Sequence, residues 1–136
     1  ENSINKIIGD GHHIILIYPV PEVGINVPKK ILQVINKQTN IKDLKKIKPI
    51  TTSFKVYKER SASTFALFDS VESPNIYRVY PHTLFCDNQI KDRCVTHSDY
   101  AVFYADSNHP SAKGSEMIVD LIMEQVKLAE EKIRQK

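Results

Sequence analysis

Five consecutive apolar or β-favouring residues, Ile14 to Tyr18, are stopped by Pro19 and Pro21 and followed by a helix-forming segment that opens near Pro28. A short run without polar interruption reads as a strand buried on both faces, the habit of parallel sheets. Proline ends it because it cannot donate to the ladder. Proline is tolerated in the first turn of a helix, and Ile31, Leu32, Val34 and Ile35 supply that helix with an apolar face. The alternation then recurs. Ser53 to Val71 spaces Phe54, Tyr57, Phe65, Leu67 and Phe68 as a second long helix, broken by Ser73-Pro74-Asn75. Ile76 to Tyr80 reads as a strand ended by Pro81, and Tyr100 to Tyr104 as a further compact strand. A final helix sets Ile118, Leu121, Ile122, Val126, Ala129 and Ile133 on one face. Near the start, Ile4, Ile7 and Ile8 share a helical face, with Gly9 placed to close that helix in a left-handed cap. Lys37 to Pro49 is lysine-rich, an exposed connection holding at most a short helix at Ile41 to Ile47. Strands alternating with helices define an α/β layered domain with a mainly parallel sheet.

A chain of 136 residues has the size of one domain and can bury a core. Its net charge of +3 is weak, and the basic residues spread through 28–60 and 125–136 instead of forming one block, which argues against a nucleic-acid partner. Four glycines are too few for a glycine-rich phosphate loop or linker, and no apolar run approaches the length of a bilayer span. The chain opens Glu1-Asn2-Ser3, with no signal peptide and no initiator methionine, so it is expected to be a processed chain or an excised part of a longer one. Cys86 and Cys94 flank a short polar loop. Two thiols with no second ligand pair fit a zinc site poorly. A disulfide is the better reading, and it would place the domain outside the cytosol; two unrelated buried thiols are the alternative.

Ligand sites of open α/β sheets lie beyond the carboxyl ends of strands, which selects the loops Pro19 to Gly24 and Ala105 to Ser111. The second carries Asp106-Ser107-Asn108-His109, a carboxylate three residues before an imidazole at a helix entrance. Nucleophilic acyl transfer needs such a pair: the histidine takes the nucleophile's proton, and the carboxylate fixes its tautomer and stabilises the imidazolium. Ser111 is placed to cap the helix, and Gly114 to let its first turn approach the sheet. The same residue types also make ordinary turns, so spacing leaves a helix-capping role open. His12-His13 would point to opposite faces of a strand, His82 and His97 lack ligand-spaced partners, and no metal site is expected. Glu22 and Asn26 read as a solvated loop in preference to a cleft lining, and Tyr57 and Arg60 as packing and solubility in preference to substrate contacts.

The run Phe103 to Gly114 resembles the last block of SGNH hydrolases, and more narrowly that of the periplasmic SGNH domain fused to acyltransferase-3 membrane proteins, where it reads roughly Y-x-D-x-x-H-L-S-x-x-G. Ile15 to Glu22 looks like that family's strand ending in P-x-P-E, and Leu84-Phe85-Cys86 through Cys94 like its cysteine loop. Together the resemblance spans about Ile7 to Leu121. Pro110 stands where the family has leucine. The Gly-Asp-Ser block with the nucleophile is missing; Gly9-Asp10-Gly11 has no hydroxyl and precedes a strand instead of following one. Ser53, Ser61, Ser63 and Ser107 occupy no strand-to-helix elbow and read as structural or surface residues.

The resemblance implies a three-layer, flavodoxin-like α/β fold, of which residues 1–136 are an incomplete C-terminal portion. It implies an O-acyltransferase, acetyl being the expected group, that acts on hydroxyls of bacterial cell-envelope carbohydrate through a Ser-His-Asp acyl-enzyme. Asp106 and His109 would be catalytic, no cofactor or metal would be required, and the chain by itself would be inactive. A carbohydrate esterase of the same class, or a noncatalytic glycan-binding or interaction domain on the same scaffold, are the other readings. The implied partners are an acyl donor, a carbohydrate acceptor, the upstream part of the domain and a membrane acyltransferase domain, in the periplasm or outside the cell and tethered to the membrane. A missing front half would leave an unpaired strand edge, from which dimerisation or fragment association is expected.

Overall fold

In a computed structural model, which describes residues 2–37 and 43–135, the apolar run forms β1 (Ile14–Ile17) and pairs in parallel with β3 (Ile76–Val79). The register sets Ile14 opposite Ile76 and Ile17 opposite Val79, and Tyr18 N–H donates to the Val79 carbonyl at 2.9 Å to carry the pairing one residue further. Parallel neighbours require a crossover. Here it is made by α2 (Val27–Lys37), a short 3-10 turn (Leu44–Lys46), β2 (Thr51–Ser53) and α3 (Phe54–Asp69). After β3 come a single-turn α4 (His82–Phe85), β4 (Arg93–Val95) and the long α5 (Ala112–Arg134); α1 (Asn2–Gly9) precedes β1. Helix α5 packs across both β1 and β3. The class is α/β, with one departure from a purely parallel layout: β2 and β4 form a separate antiparallel pair.

Two buried clusters hold these parts together. One gathers Leu16, Tyr18, Val71 and Ile76 under α1 and α3. The other gathers Val23, Val27, Ile31, Phe85, Val95, Phe103, Tyr104 and Ile118 around the cysteine loop. Tyr18, with Tyr104 among the largest fully buried side chains, lies edge-on to Phe65 and Phe68. Its hydroxyl donates to Asp69 at 2.5 Å and accepts from Arg78 Nε at 3.2 Å, so the buried oxygen is satisfied. Burial, reinforced by Asp69, holds its phenol above the usual range. His82 sits among Phe54, Tyr57, Phe65 and Tyr80, with a buried Nδ1 that has no partner among the described residues, and burial lowers its pKa. Cys86 and Cys94 are joined by a disulfide in the second cluster, which settles the choice between a bridge and two free thiols.

Several local expectations are corrected. Helix α1 runs through Gly9, and the left-handed residue that ends it is Gly11, at φ 86°. Residues 100–104 form no ladder strand. Their backbone partners are loop and cap groups: Phe103 N–H donates to Thr96, while the Phe103 carbonyl accepts from Ser111 N–H at 2.8 Å, leaving isolated bridges at His97–Val102 and Tyr104–Pro110. The short helix expected over 41–47 is the turn Leu44–Lys46, capped by the Asp43 side chain; residues 41–42 lie outside the described residues. Strands β2 and β4 and helix α4 are too short for periodicity to reveal.

Candidate active site

The turn after residue 104 folds back on itself. Ala105 N–H donates to the His109 carbonyl at 2.9 Å, closing a loop in which Asp106 faces the residues that follow it. Asp106 Oδ1 accepts from the backbone N–H of Asn108 at 2.9 Å and of His109 at 2.8 Å. Oδ2 lies 2.7 Å from His109 Nδ1. The two amide bonds, then the imidazole, bring the Asp106 carboxyl from its ordinary 3.8 to about 2, although it is not buried. A carboxylate only accepts, so Nδ1 carries the proton and the neutral imidazole presents Nε2 as a base. Among the described residues no hydroxyl bonds to Nε2, and the His109 side chain is 73% exposed.

Helix α5 fixes this turn from the other side. Ser111 Oγ accepts from Gly114 N–H at 3.1 Å and donates to the Val102 carbonyl at 2.6 Å, so one hydroxyl ties the helix start to the chain before the turn. Gly114 lies against the Phe103 carbonyl, where a side chain has no room.

The two loops selected from the sequence meet. Val23 and Gly24 N–H both donate to the Ser107 carbonyl, at 2.9 and 3.0 Å, and Val27 N–H donates to the Asp106 carbonyl at 3.3 Å. The segment after β1 is thereby strapped onto the Asp-His turn. Beside it opens a cavity of about 340 Å³ between the 19–23 segment and α3. Glu22 and Arg60 line it as an ion pair 3.9 Å apart, each 65% exposed, beside the buried Tyr57. Tyr57 donates to the Pro19 carbonyl at 2.8 Å, and burial pushes its phenol up to about 12. Sequence reasoning set Tyr57 and Arg60 on one helical face, considered Glu22 apart from them, and favoured bland roles for all three; the structure brings them together. The signal was present in α3, where Tyr57, Arg60, Ser61 and Thr64 fall at helical spacing on one face.

The remaining candidates serve local structure. Asn26 accepts from Lys29 N–H at the start of α2. Ser107 Oγ donates to Asn108 Oδ1, and Ser53 caps α3. His13 Nδ1 meets the Tyr77 hydroxyl at 3.1 Å. His97 accepts from Ile50 N–H through Nε2, so its Nδ1–H donates to the Ser98 carbonyl. Among the described residues no three histidine, cysteine or carboxylate side chains cluster as metal ligands, and no helix is long and apolar enough to cross a membrane.

Parallel strands joined through helices define the class as an α/β domain, with the Asp106–His109 pair bonded at the mouth of its last helix. The chain belongs to the SGNH domain family; the family model described as "SGNH domain (fused to AT3 domains)" matches residues 1–124. Comparison with curated proteins and comparison with solved structures each give no significant match. The family's fusion to AT3 domains points to an acyltransferase domain as its partner, and the Cys86–Cys94 disulfide is consistent with a place outside the cytosol.

Proposed function

We propose that this domain supplies the Asp–His half of a Ser-His-Asp O-acyltransferase that transfers an acyl group, acetyl foremost, to hydroxyls of bacterial cell-envelope carbohydrate. The observation that carries it is the 2.7 Å bond between His109 Nδ1 and Asp106, with Nε2 in no hydrogen bond among the described residues. In this reading residues 1–136 are the C-terminal portion of one SGNH domain, and the serine lies in a preceding segment of the same protein. His109 Nε2 takes the serine proton as the hydroxyl attacks the acyl donor, and returns it to the leaving group. In the second step Nε2 deprotonates the acceptor sugar hydroxyl, which displaces the serine. Asp106 keeps Nδ1–H in place and stabilises the imidazolium in both steps. The chemistry calls for no metal or organic cofactor. The AT3 domain delivers the acyl group and tethers the domain at the membrane, in the periplasm or outside the cell. A carbohydrate esterase is the second reading, since the same Asp106–His109 pair can activate water in place of the sugar hydroxyl.

The test compares the protein as the cell makes it with its His109→Ala variant. Acetyl transfer to envelope carbohydrate is expected to fall by about 10⁴-fold or more, and residues 1–136 in isolation to show no serine-dependent hydrolysis of p-nitrophenyl acetate. Transfer that survives in His109→Ala overturns the catalytic reading and leaves a noncatalytic binding domain.

A further inference from the structure

We infer that the cavity between the 19–23 segment and α3 is the acceptor-sugar pocket and that it selects a neutral pyranose, with Glu22 and Arg60 as its specificity-determining pair. The inference rests on the acyltransferase reading for its role but on its own observations for its ligand. Position comes first. The pocket lies just beyond the carboxyl end of β1, where α/β sheets place their ligands. One wall is the same strap whose amides bond to Ser107 and Asp106 next to His109. Its volume of about 340 Å³ is at the small end of the range for ligand sites, which suits one sugar ring.

Chemistry comes second. The pocket mixes polar side chains, among them Glu22, Arg60 and Thr64, with the apolar faces of Val20, Val56 and Tyr57, as the hydroxyls and ring face of a sugar require. Hydroxyls both donate and accept, so a ring of hydroxyls suits a carboxylate and a guanidinium set side by side: Glu22 accepts from one sugar hydroxyl and Arg60 donates to its neighbour. Tyr57 uses its own hydroxyl on the Pro19 carbonyl, so it offers its ring. Charge comes third. Glu22 stands 3.9 Å from Arg60, which offsets the only cation lining the pocket among the described residues and would repel an anionic sugar. The site therefore prefers uncharged hexoses over uronates or phosphorylated sugars.

The experiment titrates the protein as the cell makes it with methyl α-glucopyranoside, methyl α-galactopyranoside, methyl α-mannopyranoside, glucuronate and galacturonate, following binding by saturation-transfer NMR and by the heat released. At least one neutral glycoside is expected to bind more tightly than either uronate. Glu22→Gln and Arg60→Gln are each expected to weaken it about tenfold or more, the loss of a charged hydrogen bond. Glu59→Gln, on the outer face of α3, is the control for a general charge effect. Tighter binding of a uronate, no binding by any neutral glycoside, or equal binding in Glu22→Gln and wild type overturns the inference. Acetyl transfer in His109→Ala separates the two readings: loss there with unchanged sugar preference in the pocket variants refutes the pocket alone, and retained transfer refutes the catalytic role of His109 while the binding data still judge the pocket.

Discussion

Asp106 uses both carboxylate oxygens inside its own turn, one for two backbone amides and one for the imidazole. The amides contribute most to its lowered pKa, so the carboxylate is held ionised largely by the shape of the backbone. Its folded value of about 2 lies below the ordinary 3.8, so between those values the unfolded chain binds more protons than the folded one. The stabilising contribution is complete above about pH 4 and disappears as pH falls toward 2. A carbon-13 NMR titration of Asp106 is expected to show its inflection near 2, and still below the ordinary range in His109→Ala, because the amide donors remain. An inflection at the ordinary carboxylate position in the unsubstituted protein would contradict the turn geometry.

At the scale of elements, the entrance of α5 decides whether the pair forms at all. Ser111 joins the helix start to the Val102 carbonyl, and the Phe103 carbonyl receives Ser111 N–H while standing against Gly114. A methyl group at position 114 would collide with that carbonyl, which is backbone and cannot rotate away. Gly114→Ala would raise intrinsic helix propensity by about 1 kcal/mol, yet overpacking of this kind costs about 1–3 kcal/mol, and displacement of the helix start adds to it. The substitution is expected to lower the denaturant midpoint and to loosen the Asp106–His109 bond, seen as a change in the Nδ1–H proton resonance. A more stable Gly114→Ala protein would refute this close approach. On the other side, backbone bonds hold the strap from Val23 to Val27 to the turn, and Val23 and Val27 bury their side chains in the cluster with Phe103 and Tyr104.

Across the whole molecule, the Cys86–Cys94 disulfide closes the segment between α4 and β4 within the cluster that also holds Phe103 and Tyr104 at the root of the Asp-His turn. A bridge over so short a loop contributes about 2–3 kcal/mol by restricting the unfolded chain. Reduction is expected to shift urea unfolding by that amount; an unchanged midpoint would mean the bridge constrains nothing. Features that one segment can specify were legible along the chain. These include the β1 run stopped by prolines, the apolar faces of α2, α3 and α5, the Ser111 cap, and an Asp-x-x-His spacing that a single turn can close. Three-residue strands were not legible, because β2 and β4 carry no period and exist only where each meets the other. Residues 100–104 look like a strand by composition, but their backbone groups are claimed by Thr96 and Ser111, partners no local pattern names. The pocket was hidden for the same reason, since Glu22 and Arg60 are brought together by the 19–24 strap bonding to residue 107. Local sequence determined the class of the fold and the Asp-His pair, because side-chain period, capping and turn closure are short-range effects. Only the tertiary structure decided what lies beside that pair, because hydrogen bonds between distant loops depend on where the chain returns.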